Sequence, residues 1–169
     1  MALWTQSGFI DNLWTQILDE APLPAEGAAI VSAMRWRAER VALEARLAPV
    51  GVRIVAGKEA HAQLAEAAER PLVALEFAKF ADGRAFSYAQ LLRERFGFKG
   101  ELRALGDVLL DEIPLMLRCG FDSFEVANEP TLNALRAGRL PGGALFYQPS
   151  VAPEAPAGTR PWLRKKTGA

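Results

Sequence analysis

From about residue 28 to residue 148, short apolar runs alternate with longer stretches of helical periodicity, and that alternation restricts the chain to parallel β/α architecture. The runs Ala28–Ser32, Val52–Val55, Leu72–Phe77, Glu101–Leu105, Ser123–Val126 and Ala144–Tyr147 read as strands. Helical patterns fill the intervals over Arg35–Leu47, Glu59–Glu69, Tyr88–Phe96, Glu112–Cys119 and Pro130–Ala137. Ser87 with Gln90 has the spacing of a capping box, Phe86 with Leu91 that of a hydrophobic staple, and Gly97 supplies a left-handed stop. Asp111 is placed to cap the following helix, with Pro114 in its first turn and Gly120 at its end. Within residues 1–20, Ser7-Gly8 between Leu3-Trp4 and Phe9-Ile10 reads as a small hairpin packed on a sheet edge.

The phase of the central strands narrows the architecture. Side chains alternate faces along a strand, so Val73, Leu75 and Phe77 share a face with Leu102, Ala104, Phe124 and Val126 on neighbouring strands. The opposite face carries Glu76, Arg103 and Glu125. Doubly wound sheets bury both faces under helices and show continuous apolar strands, so these charges predict helices on one face only. The expected fold is therefore α/β, mostly parallel, with a partial or truncated TIM-barrel-like sheet. Six strands fall short of a complete barrel, which takes about 250 residues. The open edges then need cover, from the N-terminal segment or from a second copy in a homodimer.

Composition removes several function classes. The 20 Lys and Arg balance 20 Asp and Glu, so there is no global pull toward nucleic acid or an acidic membrane. Cys119 is the one cysteine and His61 the one histidine, so a single chain holds no disulfide, multi-cysteine zinc site or cysteine-ligated iron–sulfur cluster. There is no haem ligand set and no Rossmann glycine turn; Gly142-Gly143 and Gly97 to Gly100 lack the required spacing, and the cofactor stays unassigned. No apolar run of about 18 residues or signal-like start occurs, which predicts a cytoplasmic protein. Residues 1–148 read as one α/β domain. Residues 149–169, Pro-rich and ending in Arg164-Lys165-Lys166, read as a flexible tail in which Trp162 is either incidental or a docking anchor.

Ligands of parallel β/α proteins bind beyond the carboxyl ends of the strands, and here the loops at those ends are polar. Lys79 and Arg84, with Arg103 from its strand, form a candidate anion seat. Asp82, Asp107 and Glu125 are candidate acids or bases, with Glu76, Ser87, Arg118 and Asp122 in support. Each has a structural alternative: Glu76, Arg103 and Glu125 as an ion-pair network, Asp82-Gly83 as a turn, Asp107 as a cap. His61 reads as an exposed helix residue above the stripe Ala60, Leu64, Ala67, and Cys119 as an inert packed thiol.

The segments Phe77–Ser87, Leu91–Arg95, Gly100–Val108 and Arg118–Asp122, quoted as Phe-Ala-Lys-Phe-Ala-Asp-Gly-Arg-Ala-Phe-Ser, Leu-Leu-Arg-Glu-Arg, Gly-Glu-Leu-Arg-Ala-Leu-Gly-Asp-Val and Arg-Cys-Gly-Phe-Asp, closely resemble the bacterial domain of unknown function 934 family. Looser likeness extends over about residues 28 to 148, including Trp36 and Tyr147-Gln148. The resemblance carries over Lys79, Asp82, Arg84, Ser87, Arg93, Arg95, Arg103, Asp107, Arg118 and Asp122 as signature positions, without catalytic roles. Leu110-Asp111-Glu112 departs from the family's usual Arg-Asp-Gln. The family bears the label of a probable oxidoreductase involved in sulfite reduction, which implies a process rather than a reaction. Sulfite reduction moves six electrons through a metal or flavin centre, and the chain shows no motif for one. The expectation is an accessory protein of assimilatory sulfite or sulfate reduction, partnering sulfite reductase or its electron-transfer proteins. The alternative is a small enzyme that holds an oxyanion or cofactor phosphate at the strand ends, including a flavin- or nicotinamide-dependent oxidoreductase.

Overall fold

The computed structural model describes residues 1–78 and 83–141. Lys79, Asp82, the expected strand Ala144–Tyr147, Gly142-Gly143 and the tail with Trp162 lie outside the described residues. Strands β1 (Ala2–Thr5), β2 (Gly8–Ile10), β3 (Trp14–Gln16), β4 (Ala28–Ser32), β5 (Val50–Val55), β6 (Leu72–Phe77), β7 (Glu101–Gly106) and β8 (Ser123–Val126) form one sheet, in the order β2-β1-β8-β7-β6-β5-β4-β3. From β3 to β8 all pairings are parallel; β1 joins β8 antiparallel and folds back on β2.

The sheet curls into a half-barrel. β3 and β8 are five strand spacings apart, about 24 Å if the sheet were flat. Yet Gln16 Nε2 on β3 donates to both carboxylate oxygens of Glu125 on β8, at 3.0 and 3.2 Å. The convex face carries α1 (Ala33–Ala38), α2 (Arg40–Glu44), α3 (Ala60–Ala67), α4 (Arg84–Gln90), α5 (Ile113–Arg118) and α6 (Glu129–Arg136). Val31, Val52, Ile54, Val73, Leu75, Leu102 and Phe124 pack there against Trp36, Leu43, Leu64, Leu92, Met116 and Leu132 in one buried core. Each such side chain contributes about 1.5–3 kcal/mol on leaving water. A second, small cluster of Ile30, Leu72, Ala74 and Leu105, with Trp14 against it, fills the concave side.

The expected N-terminal hairpin is present as β1–β2, and both expected glycine stops adopt positive φ, +65° at Gly97 and +98° at Gly120. Four local expectations are corrected. The third helix starts at Arg84, so Ser87 is an exposed mid-helix residue and caps nothing. The stripe Ala85, Tyr88, Ala89 and Leu92, buried at i, i+3, i+4, i+7, extends the helix past the cap signal. This helix then widens into a π-helical turn over Leu91–Arg95. The first helix is two, parted at Glu39 (φ −113°, ψ 19°), and begins earlier because Ser32 Oγ accepts from Arg35 N at 3.0 Å. Asp111 lies outside α5, whose N-cap position is Glu112 with no side-chain cap bond. Strand β3 was not expected: it is three residues long, paired on one side only, and stabilised by β4 rather than by its own pattern.

Candidate functional site

The concave face is stratified. Toward the N-terminal ends of the strands lies a polar lock centred on Arg103, whose side chain is 1% exposed. Its guanidinium turns back along β7, donating from Nε (2.9 Å) and Nη2 (2.7 Å) to Glu101 Oε1, and from Nη1 to Asn12 Oδ1 at 2.8 Å. Ser123 Oγ donates to the same Glu101 oxygen at 2.5 Å, and Trp14 N to the same Asn12 oxygen at 3.1 Å. This lock ties the β2–β3 link to β7 and β8. Above it sits the apolar layer of Ile30, Leu72, Ala74 and Leu105. Gly51 belongs to this layer: a Cβ there would lie 2.9 Å from Leu72 Cδ2 and 3.1 Å from Leu72 Cβ, so a larger residue would press on that leucine.

At the C-terminal ends of the strands lies a cavity of about 210 Å³, lined by Gln16, Arg53, Glu76, Gly106 and Glu125 together with Met1, Leu105 and Ala127. Arg53 Nη1 and Glu76 Oε2 stand 3.7 Å apart, an ionic contact too long for a hydrogen bond, with both side chains about 30% exposed. Glu125 is held by Gln16. Gly106 (φ +87°) gives the wall its shape, because a Cβ there would come within 2.5 Å of the Phe77 carbonyl oxygen. A second, larger cleft of about 500 Å³ runs along the seam between β1 and β3 and shares Gln16 and Glu125 with the first.

Of the side chains singled out in the sequence, Glu76 and Glu125 line the cavity. Arg103 does not; its donors serve Glu101 and Asn12, which corrects the expectation that it faces an anion. Asp107 is exposed on the loop just after β7. Arg84 opens α4 and Arg118 closes α5, outside the cavity wall. Asp122 lies at the far end of the sheet, where its Oδ2 accepts from Arg93 Nη2 at 2.5 Å and from Leu102 N at 2.8 Å. The cavity residues missed from sequence are Gln16 and Arg53. Extending the β5 run back to Gly51 puts Arg53 in phase with the concave face; for Gln16 no local signal existed.

Beside the cavity-forming loops, Glu112 is pushed above the usual carboxylate range by burial first, then by the neighbouring charges of Asp111 and Asp107. Burial likewise raises the Cys119 thiol, with Arg118 opposing and Glu94 adding to the rise, so this cysteine is disfavoured as a nucleophile. His61 is exposed on α3. Among the described residues no group of three or more His, Cys, Asp or Glu is arranged to hold a metal ion. No helix among them is long and apolar enough to cross a membrane.

A curled β/α half-barrel with helices on its convex face and a ligand-sized cavity at the carboxyl ends of its strands defines the class. Within it, the chain belongs to the family described as "Bacterial protein of unknown function (DUF934)", which matches residues 51–158, from β5 through α6 and beyond. No curated protein and no solved structure matches the chain.

Proposed function

We propose that the protein is a cytoplasmic accessory protein of assimilatory sulfite or sulfate reduction whose working part is the cavity at the strand ends, where it holds a small polar molecule. The process rests on the resemblance carried by Phe77–Ser87, Gly100–Val108 and Arg118–Asp122. The binding role rests on one observation: charged Arg53, Glu76 and Glu125 line one cavity with apolar Leu105, at the end of a parallel sheet where such folds bind ligands. Its partners on this reading are sulfite reductase or the proteins that deliver its electrons.

The test is genetic and biochemical together. A strain lacking the protein should grow poorly with sulfate or sulfite as sulfur source and normally with cysteine, and the tagged protein should retain the reductase on a column. Normal growth on all three sources, with no retained reductase, overturns the assignment of process. A second reading is an enzyme in which Glu76 and Glu125 share acid and base roles, favoured by two carboxylates on one cavity with unlike partners, a guanidinium and an amide. An absorption spectrum showing flavin, or a melting temperature raised by flavin or nicotinamide, would favour that enzyme reading.

A further inference from the structure

We infer that the cavity at the strand ends takes a zwitterion: a small molecule bearing an ammonium group and an oxyanion, carboxylate or sulfonate, a few bonds apart. The inference rests on the reading of that cavity as a ligand site and names the class of ligand. The charge of the wall comes first. Two carboxylates, Glu76 and Glu125, face the Arg53 guanidinium, with Met1 at the margin, so the described wall presents partners for an ammonium and for an oxyanion side by side.

The second argument is what each group has left to offer. Arg53 makes no hydrogen bond among the described residues, and its one ionic contact is the 3.7 Å approach to Glu76. A guanidinium in that state keeps its planar fork for a bidentate oxyanion. Glu76 is engaged by the same long contact alone, and both Glu125 oxygens share a single Gln16 amide, leaving lone pairs on each carboxylate. An ammonium has three donors and no acceptor, which matches two carboxylates converging on one space. Opening the half-exposed Arg53–Glu76 contact costs little, because pairs of this kind are weak. About 210 Å³ corresponds to about seven water molecules, the room needed by a small amino acid or aminosulfonate. Leu105 and Ala127 in the lining receive the short carbon chain between the two charges.

The full chain, 18.4 kDa, suits amide-resolved NMR titration. The probes are 3-aminopropanoate, 2-aminoethanesulfonate, propanoate, ethanesulfonate, propylamine and sulfite. Shifts confined to Gln16, Arg53, Glu76, Gly106 and Glu125 are expected, with the better zwitterion binding at least about tenfold more tightly than its matching mono-ions. The ratio between the two zwitterions assigns the oxyanion. Arg53→Gln and Glu125→Gln should each weaken that zwitterion by about tenfold while leaving the rest of the spectrum in place. Sulfite, propanoate or propylamine binding as tightly as the zwitterions overturns the inference while leaving the cavity a ligand site. No shift at these residues with any probe overturns both.

Discussion

Arg93 is the residue whose removal the structure prices most clearly. It sits in the π-helical turn after α4, 14% exposed, with its guanidinium under the N-terminal ends of β7 and β8. Nε and Nη2 donate to the Gly120 carbonyl at 2.9 and 2.8 Å, and Nη1 to the carbonyls of Phe98 and Gly100 at 2.9 and 3.0 Å. Nη2 also reaches Asp122, and the group lies 5.1 Å over the Phe98 ring. Arg93→Ala therefore leaves three part-buried carbonyls without this donor, each costing at least about 1 kcal/mol, and strips the partner from Asp122. The expected loss is about 4 kcal/mol, near the range for breaking a paired, largely buried charge. At about 2–4 °C per kcal/mol for a chain of this size, the melting temperature should fall by about 8–16 °C. Arg93→Lys should fall between parent and alanine, because an ammonium cannot span three carbonyls with a planar fork. Urea and thermal unfolding, followed by circular dichroism, read both variants. A drop of less than about 3 °C for Arg93→Ala would refute the reasoning that this signature arginine holds the sheet end together.

Gly106→Ala should cost about 2 kcal/mol or more and lower the melting temperature, since it places a Cβ within 2.5 Å of the Phe77 carbonyl oxygen at φ +87°; an unchanged melt would mean that the β7 end relaxes freely. Glu112 is favoured in its neutral form by burial, so the folded state holds its proton to higher pH and stability drains away as pH rises through the elevated range. Glu112→Gln should thus melt above the parent at neutral pH, with the gap closing near about pH 4; a gap that widens on acidification contradicts the sign. Cys119, 3% exposed and with a raised thiol, should resist iodoacetamide at about pH 8 in the native state and react at once in urea, and fast native labelling would show that α5 opens locally.

The strands were legible because a parallel strand announces itself by composition and by its period of two. The bounds of β4, β6 and β8 coincide with the apolar runs, and Glu76 and Glu125 share the concave face as their phase required. Phase, however, says which face a side chain leaves from and nothing of its direction along the strand. Arg103 shares the phase of Glu101, two residues earlier, and bends back to it toward the N-terminal end, away from the loops where ligands bind. The one-sided charges did call for a curled, barrel-like sheet, but the closure of that curl was not legible, for a different reason. It depends on β3, which pairs with β4 and whose Gln16 bonds to Glu125, 109 positions further along the chain. Local patterns cannot carry that information, because the closure is set by the tilt and stagger of all the strands together.

The same distinction sorts the signature residues. Arg93 and Asp122 hold the sheet's N-terminal end, and Arg103 locks its concave side. At Arg93 and Arg103 one guanidinium satisfies several part-buried oxygen atoms at once, so a sequence motif built on such positions reports a fold before it reports a reaction. Arg53, Gln16, Glu76 and Glu125 show the reverse arrangement: one long ionic contact, one shared amide, and donors or acceptors still open, at the end of the sheet where its strands finish. Unsatisfied polarity around a cavity is what a binding site requires and a structural network avoids. The two ends of one concave face thus differ in kind, with satisfied polar networks at the strand starts and open, part-exposed charge at the strand ends, where the proposed site lies.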